Sequence, residues 1–592
     1  MVTARFTQIQ FLLPVAVGLL LVAPSLITGL QLDDYFHWGL VTENALAKPG
    51  NDSAGIFTLF TFLDGDAQRT QWLINKGMLP WWTLPDVKYM FWRPVAEITH
   101  GIDYLLWPKQ PLLMHLHSLF YLLLLFLATY QLFKNWLTGP ALTSGFWIFC
   151  LSYTQGFAAG WLANRNAVLA ALFVVLSLYL HDRWRAQGQI KFHLLALITF
   201  LMGLLSGEMG VSAGLFLFAY AVCLENKFDQ YSSLLKRWLA KLLTIAPYGV
   251  IGIVWLGARG VLGYGAEGSG HYVDPANLTE FVAIVAERYW RLITGLFWSL
   301  PPEFAALTGD LLPTVVAVFG FALTAVILLP LLAVNSLARF FLLSIVLLLL
   351  PVCATSPHSR LLICAGVALA GLIGLYFGER RQQKSLAAAT TTQKLAPVLS
   401  LLLIISLLVL SPLLKTVSSV AMKLAMDGAL NKGATQLAIE PTNQDKIHVV
   451  LNPPLSSVAG YIQGVRAYQG LPVAKAVIPL ASAIGNIEFT MLSETSFRLQ
   501  SEQGLYEANQ ESLLRAPSRP LAPGDSVSVA GMMATVITIA DNGAPSTVEF
   551  QLPTGTSQYV FHLWHGGNPV KCKLPSPGTH FTLTQDRDYC AR

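Results

Sequence analysis

The sequence predicts an α-helical polytopic membrane protein with a β-rich domain at its C-terminal end. Of its 592 residues, 54% are hydrophobic and only 12% are charged, whereas soluble domains carry about 25% charged residues. The apolar residues gather in runs close to the ~20 residues that cross a bilayer. From about residue 446, short alternating segments rich in β-forming residues replace these runs.

Eleven hydrophobic runs are predicted to be transmembrane helices. Basic residues fall in alternate loops, and the positive-inside rule then places the N-terminus in the cytoplasm and the C-terminal domain outside it. This orientation fits a multi-pass protein of a bacterial inner membrane. The predicted spans are 11–30, 112–133, 141–158, 166–181, 193–207, 209–224, 240–258, 312–334, 340–356, 361–378 and 396–414.

The spans divide the chain into two predicted domains. Residues 1–414 form the transmembrane domain, which includes a long first outer loop at 31–111 and an outer amphipathic segment at 259–311. Within that segment, residues 277–300 carry four charges, so we expect a helix on the membrane surface rather than a span. Residues 415–592 form the extracytoplasmic β-rich domain, which we expect to be a sandwich.

Charge and cysteine placement limit the partners and the compartment. The net charge of +5 is spread over short loops between spans, so no basic patch indicates a nucleic-acid partner. Cys572 and Cys590 lie in the predicted outer domain, where a disulfide between them fits an oxidising compartment. Two free thiols are the alternative.

The tryptophans of the first outer loop suggest an interfacial location. Indole rings favour the boundary between lipid and water, where an apolar ring meets a polar environment. These residues are Trp72, Trp81, Trp82, Trp92 and Trp107.

Two adjacent acids, Asp33 and Asp34, follow the first span directly. Neighbouring carboxylates raise one another's pKa, which suits a general base near neutral pH. One would then act as the base and the other as an electrostatic or metal-binding neighbour. The alternative is a structural carboxylate at a helix end.

A second polar group lies in residues 91–104, where Pro94 suits the first turn of a helix. Helical spacing places Arg93, Glu97, His100 and Asp103 near one face. Arginine binds phosphate in a bidentate manner, and a Glu-x-x-His pair can bind a metal ion. A face of structural ion pairs is the alternative.

Further charged residues map to the same predicted outer face. His115 begins the second span, Arg165 follows a short outer turn, Glu208 lies in a tight turn, and Arg360 begins a later span. The alternatives are interfacial or snorkelling side chains and a simple turn residue. Acids and cations on one face are what a cavity for an anionic lipid-linked substrate needs.

These segments together resemble the GT-C superfamily of membrane glycosyltransferases, in the branch of the protein O-mannosyltransferases and their bacterial tetratricopeptide-linked relatives. The resemblance covers roughly residues 10–380. The segments that resemble family motifs are Asp33-Asp34-Tyr35, Trp92-Arg93-Pro94 through Asp103, Pro111 with His115-Leu116-His117-Ser118, residues 161–165, Gly207-Glu208 and Ser359-Arg360-Leu361-Leu362.

The resemblance implies transfer of a sugar from a polyprenyl-phosphate donor. Asp33 or Asp34 would deprotonate an acceptor hydroxyl of a protein, lipid or glycan, and the oxygen would attack the anomeric carbon with inversion. Arg93, Arg165, Arg360 and His115 would bind the donor phosphate, with Glu97, His100, Asp103 and Glu208 in support. No nucleotide-binding motif is needed, no particular cofactor is implied, and a divalent cation stays open.

The sequence departs from the family pattern at three positions. Phe157 and Ala167 occupy places where the family often has acids, and Ser118 stands where an asparagine is expected. Two other functions therefore stay open. One is a transporter or flippase of a lipid-linked substrate, and the other is a non-catalytic envelope scaffold with the same fold.

Overall fold

The structure, a computed structural model, describes residues 2–42, 55–275, 277–304, 311–383, 391–483, 485–553, 556–565 and 568–583. The chain forms two compact units. The helical unit comprises Met1–Leu30, Trp92–Gly263 and Asp274–Met422. The mixed unit comprises Gln31–Phe91, Tyr264–Val273 and Lys423–Arg592. Residues 31–91, which the sequence assigns to the transmembrane domain, thus group with the C-terminal segment.

The helical unit is built from α-helices around an apolar core that includes Phe126, Phe149 and Phe341. Proline at the first helical position begins several of these helices, as at Pro94 and Pro111. The helices are Val2–Leu20, Pro94–Leu106, Pro111–Trp136, Gly139–Leu151, Gly156–Gly160, Arg165–Gln187, Ile190–Ser206, Ser212–Cys223, Leu234–Val261, Leu278–Trp298, Leu311–Val334, Ser336–Val352, Ile363–Gln383, Thr391–Ile404 and Ser411–Met426.

Within the described residues, five helical segments are long and apolar enough to cross a membrane, or six if one bent pair counts as a span. Four further apolar helices have 10–17 residues. The predicted total of eleven spans therefore stays a prediction. The five segments are Pro111–Trp136, Leu162–Gln187, Leu234–Val261, Ser359–Glu379 and Ala396–Gln436.

One predicted span is interrupted in the structure, and the predicted domain boundary lies within a helix. The expected span at 141–158 is interrupted, because helix Gly139–Leu151 ends where Ser152 takes an extended conformation (ψ 128°). The Ser411 hydroxyl accepts the freed N–H of Tyr153 at 2.9 Å, so the break is compensated within the unit. The expected domain boundary at 415 falls inside helix Ser411–Met426, whose apolar residues continue the helix past it.

The first outer loop contributes strands as well as helices to the mixed unit. β1 (Thr61–Asp64), β2 (Lys88–Met90) and β3 (Gly265–Glu267) form an antiparallel sheet in that order. Helices Asp33–Val41 and Ala67–Lys76 belong to the same unit.

The C-terminal segment forms two sheets, and buried residues of both belong to one apolar core. The six-stranded sheet has the order β13-β6-β7-β10-β9-β8 and is antiparallel, and the four-stranded sheet has the order β12-β11-β4-β5. The strands are β4 (Ile447–Leu451), β5 (Ala476–Pro479), β6 (Glu488–Ser493), β7 (Ser496–Gln500), β8 (Ser526–Val529), β9 (Met532–Ile539), β10 (Pro545–Gln551), β11 (Tyr559–His565), β12 (Asn568–Cys572) and β13 (His580–Thr582).

The parallel strands of the four-stranded sheet are joined by a helix that the sequence pattern does not predict. β4 pairs in parallel with both β11 and β5. A parallel pair that is consecutive in the chain needs a long crossover, and helix Ser456–Gln469 supplies the crossover between β4 and β5. The predicted Asn542-Gly543 turn is present between β9 and β10, where Gly543 has a φ of 83°.

Two of the loop tryptophans contradict the interfacial interpretation. Trp81 and Trp82 have no exposed surface and belong to the core of the mixed unit. The Trp81 indole donates to the carbonyl of Leu480 at 3.0 Å, and that of Trp82 donates to Glu511 at 3.1 Å. Buried indoles need such partners, and these partners come from distant parts of the chain.

Cys572 is disulfide-bonded, and the predicted oxidising compartment stays a prediction. Cys590, its expected partner, lies outside the described residues. Cys150, Cys223, Cys353 and Cys364 are free thiols.

Candidate functional site

The adjacent acids begin helix Asp33–Val41 in the mixed unit. Leu32, the residue before them, has a φ of 41°, a region that bulky side chains rarely adopt. Asp34 is fully buried, and its Oδ2 accepts the backbone N–H of Gln31 at 2.9 Å. Asp33 Oδ1 accepts a hydrogen bond from the hydroxyl of Tyr461. The acidic pair is therefore held at a fixed helix start.

Helix Ser456–Gln469 lies against the helix of the acidic pair. An added Cβ at Gly464 would lie 3.1 Å from Cβ of Tyr35, so a side chain there would crowd the contact. The Tyr468 ring packs edge-on against Tyr35 and Trp38, with centroids 5.7 and 5.3 Å apart. Residues 461, 464 and 468 follow helical spacing, so one face of the helix contacts the acidic segment.

The Tyr461 hydroxyl is held in its protonated form. Burial raises the pKa of Tyr461 well above its ordinary value, and the charges of Asp33 and Asp34 raise it further. Burial and the charge of Asp34 also raise the pKa of Tyr35. A protonated phenol donates a hydrogen bond to a carboxylate, and such a hydrogen bond favours the ionised acid.

In the helical unit, Arg93 is paired with Glu208. Arg93 Nε and Nη2 both donate to Glu208 Oε2, at 3.0 and 2.7 Å. The side chains of Arg93 and Glu208 are 17% and 35% exposed. The structure thus joins a predicted phosphate ligand with a predicted supporting acid, and both keep contact with solvent.

Asp103 and Arg165 form a fully buried cluster of the helical unit. Arg165 donates to the carboxylate of Asp103, to Ser118 Oγ at 2.9 Å, and to two backbone carbonyl oxygens. The other oxygen of Asp103 lies 2.6 Å from Nδ1 of His117. Arg165 has no exposed surface, so its guanidinium serves the interior of the unit.

The remaining predicted residues of this region are also internal. Glu97 and His100 are buried on helix Pro94–Leu106, on the same face as Asp103. His115 is fully buried, with Nε2 at 3.0 Å from Thr28 Oγ1 and 3.1 Å from the carbonyl of Gly29. Among the described residues, no group of three or more histidines, cysteines and acids is placed to hold a metal ion.

Arg360 lies over two aromatic rings of the helical unit. Its guanidinium carbon is 5.9 Å from the Phe157 ring centre and 5.5 Å from that of Trp161. Glu303 anchors the adjacent turn, because Ser359 donates its hydroxyl and its N–H to this carboxylate at 2.6 and 2.9 Å. Phe157, where the family often has an acid, thus forms part of the surface that supports Arg360.

Sequence reasoning missed Tyr461 and Glu303. Tyr461 is separated from Asp33 by 428 positions, and no local motif marks it. Glu303 lies in the segment predicted only as amphipathic, and Pro301-Pro302 before it gave no functional signal. Both contacts come from tertiary packing.

No protein-family model matches the sequence, and no curated protein matches it. Among solved structures, the archaeal oligosaccharyltransferase AglB from Archaeoglobus fulgidus, in complex with an inhibitory peptide and a dolichol-phosphate, is similar at a TM-score of 0.42 and 14% identity, over 80% of this chain and 65% of that one. The chain thus matches less than two thirds of that oligosaccharyltransferase.

ArnT from Cupriavidus metallidurans is similar in two states. The apo structure has a TM-score of 0.40 and 12% identity, over 80% of this chain and 86% of that one. The structure bound to undecaprenyl phosphate has a TM-score of 0.38 and 12% identity, over 79% and 89%.

Proposed function

We propose that the chain is an inverting membrane glycosyltransferase that moves a sugar from a polyprenyl-phosphate donor to an acceptor hydroxyl. The acceptor is a protein, a lipid or a glycan on the outer face of the membrane. The proposal is supported by the order of the motif-like segments along the chain and by the geometry of the acidic pair.

The observation that carries the proposal is the strained backbone at Leu32. A bulky residue in a sparsely populated region costs on the order of 1–3 kcal/mol, and such strain concentrates at functional sites. Here the strain directly precedes Asp33 and Asp34 and starts the helix that carries both.

In the proposed reaction, Asp33 or Asp34 accepts the proton of the acceptor hydroxyl. The hydroxyl oxygen forms a bond to the anomeric carbon, and the bond from that carbon to the phosphate oxygen breaks. Polyprenyl phosphate leaves with the electron pair and the negative charge. Arg93 and Arg360, which keep exposed surface, are proposed to bind this phosphate, while Arg165 and His115 are proposed to position the helices around them.

The test compares envelope sugars in a strain that lacks the gene. The strain is complemented with wild-type protein, Asp33→Asn, Asp34→Asn or Asp86→Asn, at matched membrane levels. Asp86 is a control on the same loop, because its carboxylate is 52% exposed and paired with Arg519 on the surface. Lipid-linked and protein-linked sugars are measured by mass spectrometry.

We expect wild type and Asp86→Asn to restore a missing sugar and at least one acidic-pair variant to fail. Equal restoration by both acidic-pair variants would contradict the enzyme and favour a transporter or scaffold. Arg93→Ala and Arg360→Ala test the phosphate ligands separately.

A further inference from the structure

We propose that the C-terminal segment completes the acidic site, with Tyr461 as the positioning residue that orients the carboxylate of Asp33. This inference rests on the proposed function, because it assigns Asp33 as the base. The β-rich domain would then help to orient the catalytic base, rather than serve only to bind another molecule.

The first argument is the contact itself. The Tyr461 hydroxyl donates to Oδ1 of Asp33, and Gly464 and Tyr468 pack against the same short helix. Three residues of one helix face therefore fix the segment that carries the acids. Because rotation of the Asp33 side chain would break the Tyr461 hydrogen bond, the second oxygen is held in one direction.

The second argument is that the helix of Tyr461 is itself rigidly placed. Arg466, only 3% exposed, donates to the carbonyls of Pro472, Ala434, Leu437 and Ile439 at 2.6–3.0 Å. Gln463 exchanges two hydrogen bonds with the backbone of Ala474, at 2.8 and 3.1 Å. A catalytic group is held well only when the supporting side chains are themselves fixed.

The third argument is electrostatic. Asp34 and Tyr35 lie on the same helix as Asp33. Tyr461 and Tyr468 face this helix from the crossover helix. The charge of Asp427 also acts on Tyr35. A neighbouring carboxylate opposes ionisation of Asp33, whereas the phenol hydrogen bond favours it. Removal of the phenol proton donor therefore leaves Asp33 harder to ionise.

The experiment measures the pH dependence of turnover in purified full-length protein. The donor probe is the polyprenyl-linked lipid extract of the host membranes, and the release of polyprenyl phosphate is quantified by mass spectrometry. The variants are Tyr461→Phe and, as a matched control, Tyr559→Phe. The Tyr559 hydroxyl also makes a hydrogen bond, to the carbonyl of Ala530 at 2.9 Å, but away from the acids.

We expect Tyr461→Phe to move the acid limb of the kcat/KM profile to higher pH by about one unit, since a hydrogen bond to a charged group is worth roughly that much. Tyr559→Phe should keep the wild-type profile. An unchanged profile in Tyr461→Phe, with Asp33→Asn inactive, would overturn this inference and leave the proposed function standing. Full activity in Asp33→Asn alone would also overturn this inference, because Asp33 would not be the base, whereas full activity in both Asp33→Asn and Asp34→Asn would overturn the proposed function.

A second measurement does not depend on activity. Melting temperatures of Asp33→Asn, Tyr461→Phe and the double variant form a double-mutant cycle. We expect the two single shifts to exceed, in sum, the shift of the double variant, and we expect additive shifts for Asp33→Asn with Tyr559→Phe. Additive shifts in both pairs would contradict a direct coupling between Tyr461 and Asp33.

Discussion

Each compact unit has an acidic site that contains a buried carboxylate, and the two sites are held by different chemistry. In the helical unit, Asp103 is bound by the guanidinium of Arg165 and lies beside His117. In the mixed unit, Asp33 accepts a phenol hydrogen bond and Asp34 accepts a backbone N–H. The guanidinium brings a full positive charge to its carboxylate, whereas the phenol hydroxyl and the backbone N–H bring only partial charges.

The comparison separates a structural acid from a candidate base. The two oxygens of Asp103 are taken by Arg165 and His117 inside the helical unit. The carboxylate of Asp33 is only partly buried, and one of its oxygens accepts the hydroxyl of Tyr461. Judged by charge alone, Asp103 and Asp33 would be equally good candidates for the general base.

The largest expected effect breaks the ion pair of the helical unit. Arg165→Met leaves Asp103 buried beside only His117, so we expect a loss of about 3–5 kcal/mol in stability, typical of a broken buried pair. Thermal unfolding in detergent, read by size-exclusion chromatography, measures it. Arg93→Met is the control, because its partner Glu208 is 35% exposed, and its loss should be smaller.

A double variant tests whether the unpaired charge of Asp103 causes this loss of stability. The double variant Arg165→Met/Asp103→Leu removes both charges and should recover most of the lost stability, since a buried pair replaced by apolar residues is often neutral. Equal losses for the single and double variants would show that packing, not charge, sets the role of Arg165.

The next effect tests whether the first outer loop and the C-terminal strands form one packed unit. An added Cβ at Gly77 would lie 1.8 Å from the carbonyl oxygen of Val477, and Gly77 has a φ of 73°. Gly77→Ala must therefore shift the backbone, and we expect a loss above the ~1 kcal/mol of strain alone. Gly65→Ala is the matched control, with a φ of 84° and no atom closer than 3.7 Å.

Both variants are compared by limited proteolysis and thermal unfolding. A clearly lower midpoint for Gly77→Ala than for Gly65→Ala supports the packed unit. Equal midpoints would mean that only backbone strain matters and that the loop does not pack on β5.

The last effect, a pH dependence, concerns a histidine pair on β4 and β11. His448 and His562 are fully buried, and His448 Nδ1 lies 2.9 Å from His562 Nε2. Burial lowers the pKa of both, and that of His562 to about 3, with His448 and Lys571 adding to the shift. The folded state then binds fewer protons than the unfolded chain below the ordinary histidine pKa of about 6.5.

Stability of the mixed unit should therefore fall as the pH falls from about 6.5 toward 3, by up to roughly 1.4 kcal/mol per pH unit for each histidine. His562→Gln should flatten this dependence, measured as unfolding midpoints at pH 7.5 and 5. His580→Gln, at a side chain 59% exposed, should leave it unchanged. An equal slope in wild type and His562→Gln would contradict the assignment.

Local patterns predicted the elements better than their assembly. Apolar runs and proline positions located most helices, and Asn542-Gly543 located a hairpin, because these signals act within a few residues. The crossover helix Ser456–Gln469 is only weakly amphipathic, and parallel pairing of β4 with β5 is not visible in local sequence. The break of a predicted span at Ser152 was also not visible locally. The backbone N–H of Tyr153, which the break frees, bonds to the distant Ser411.

The candidate site shows the same limit. Sequence pattern indicated Asp33, Asp34, Arg93 and Glu208, and the structure pairs the last two. The sequence could not show that Arg165 is buried and hydrogen-bonded inside the helical unit, because only the fold brings its partners Asp103 and Ser118 next to it. The role of Tyr461 could not be predicted from the sequence, because only the fold brings it next to Asp33.

The central claim is that the acidic pair activates an acceptor for attack on a polyprenyl-phosphate sugar. The most direct measurement is polyprenyl phosphate release by purified protein supplied with the lipid extract of host membranes, with wild type, Asp33→Asn, Asp34→Asn and Asp86→Asn compared side by side. We predict release by wild type and Asp86→Asn, and a loss of at least about 100-fold in one acidic-pair variant, as for removal of a general base. Release at the wild-type rate by both acidic-pair variants would contradict the account.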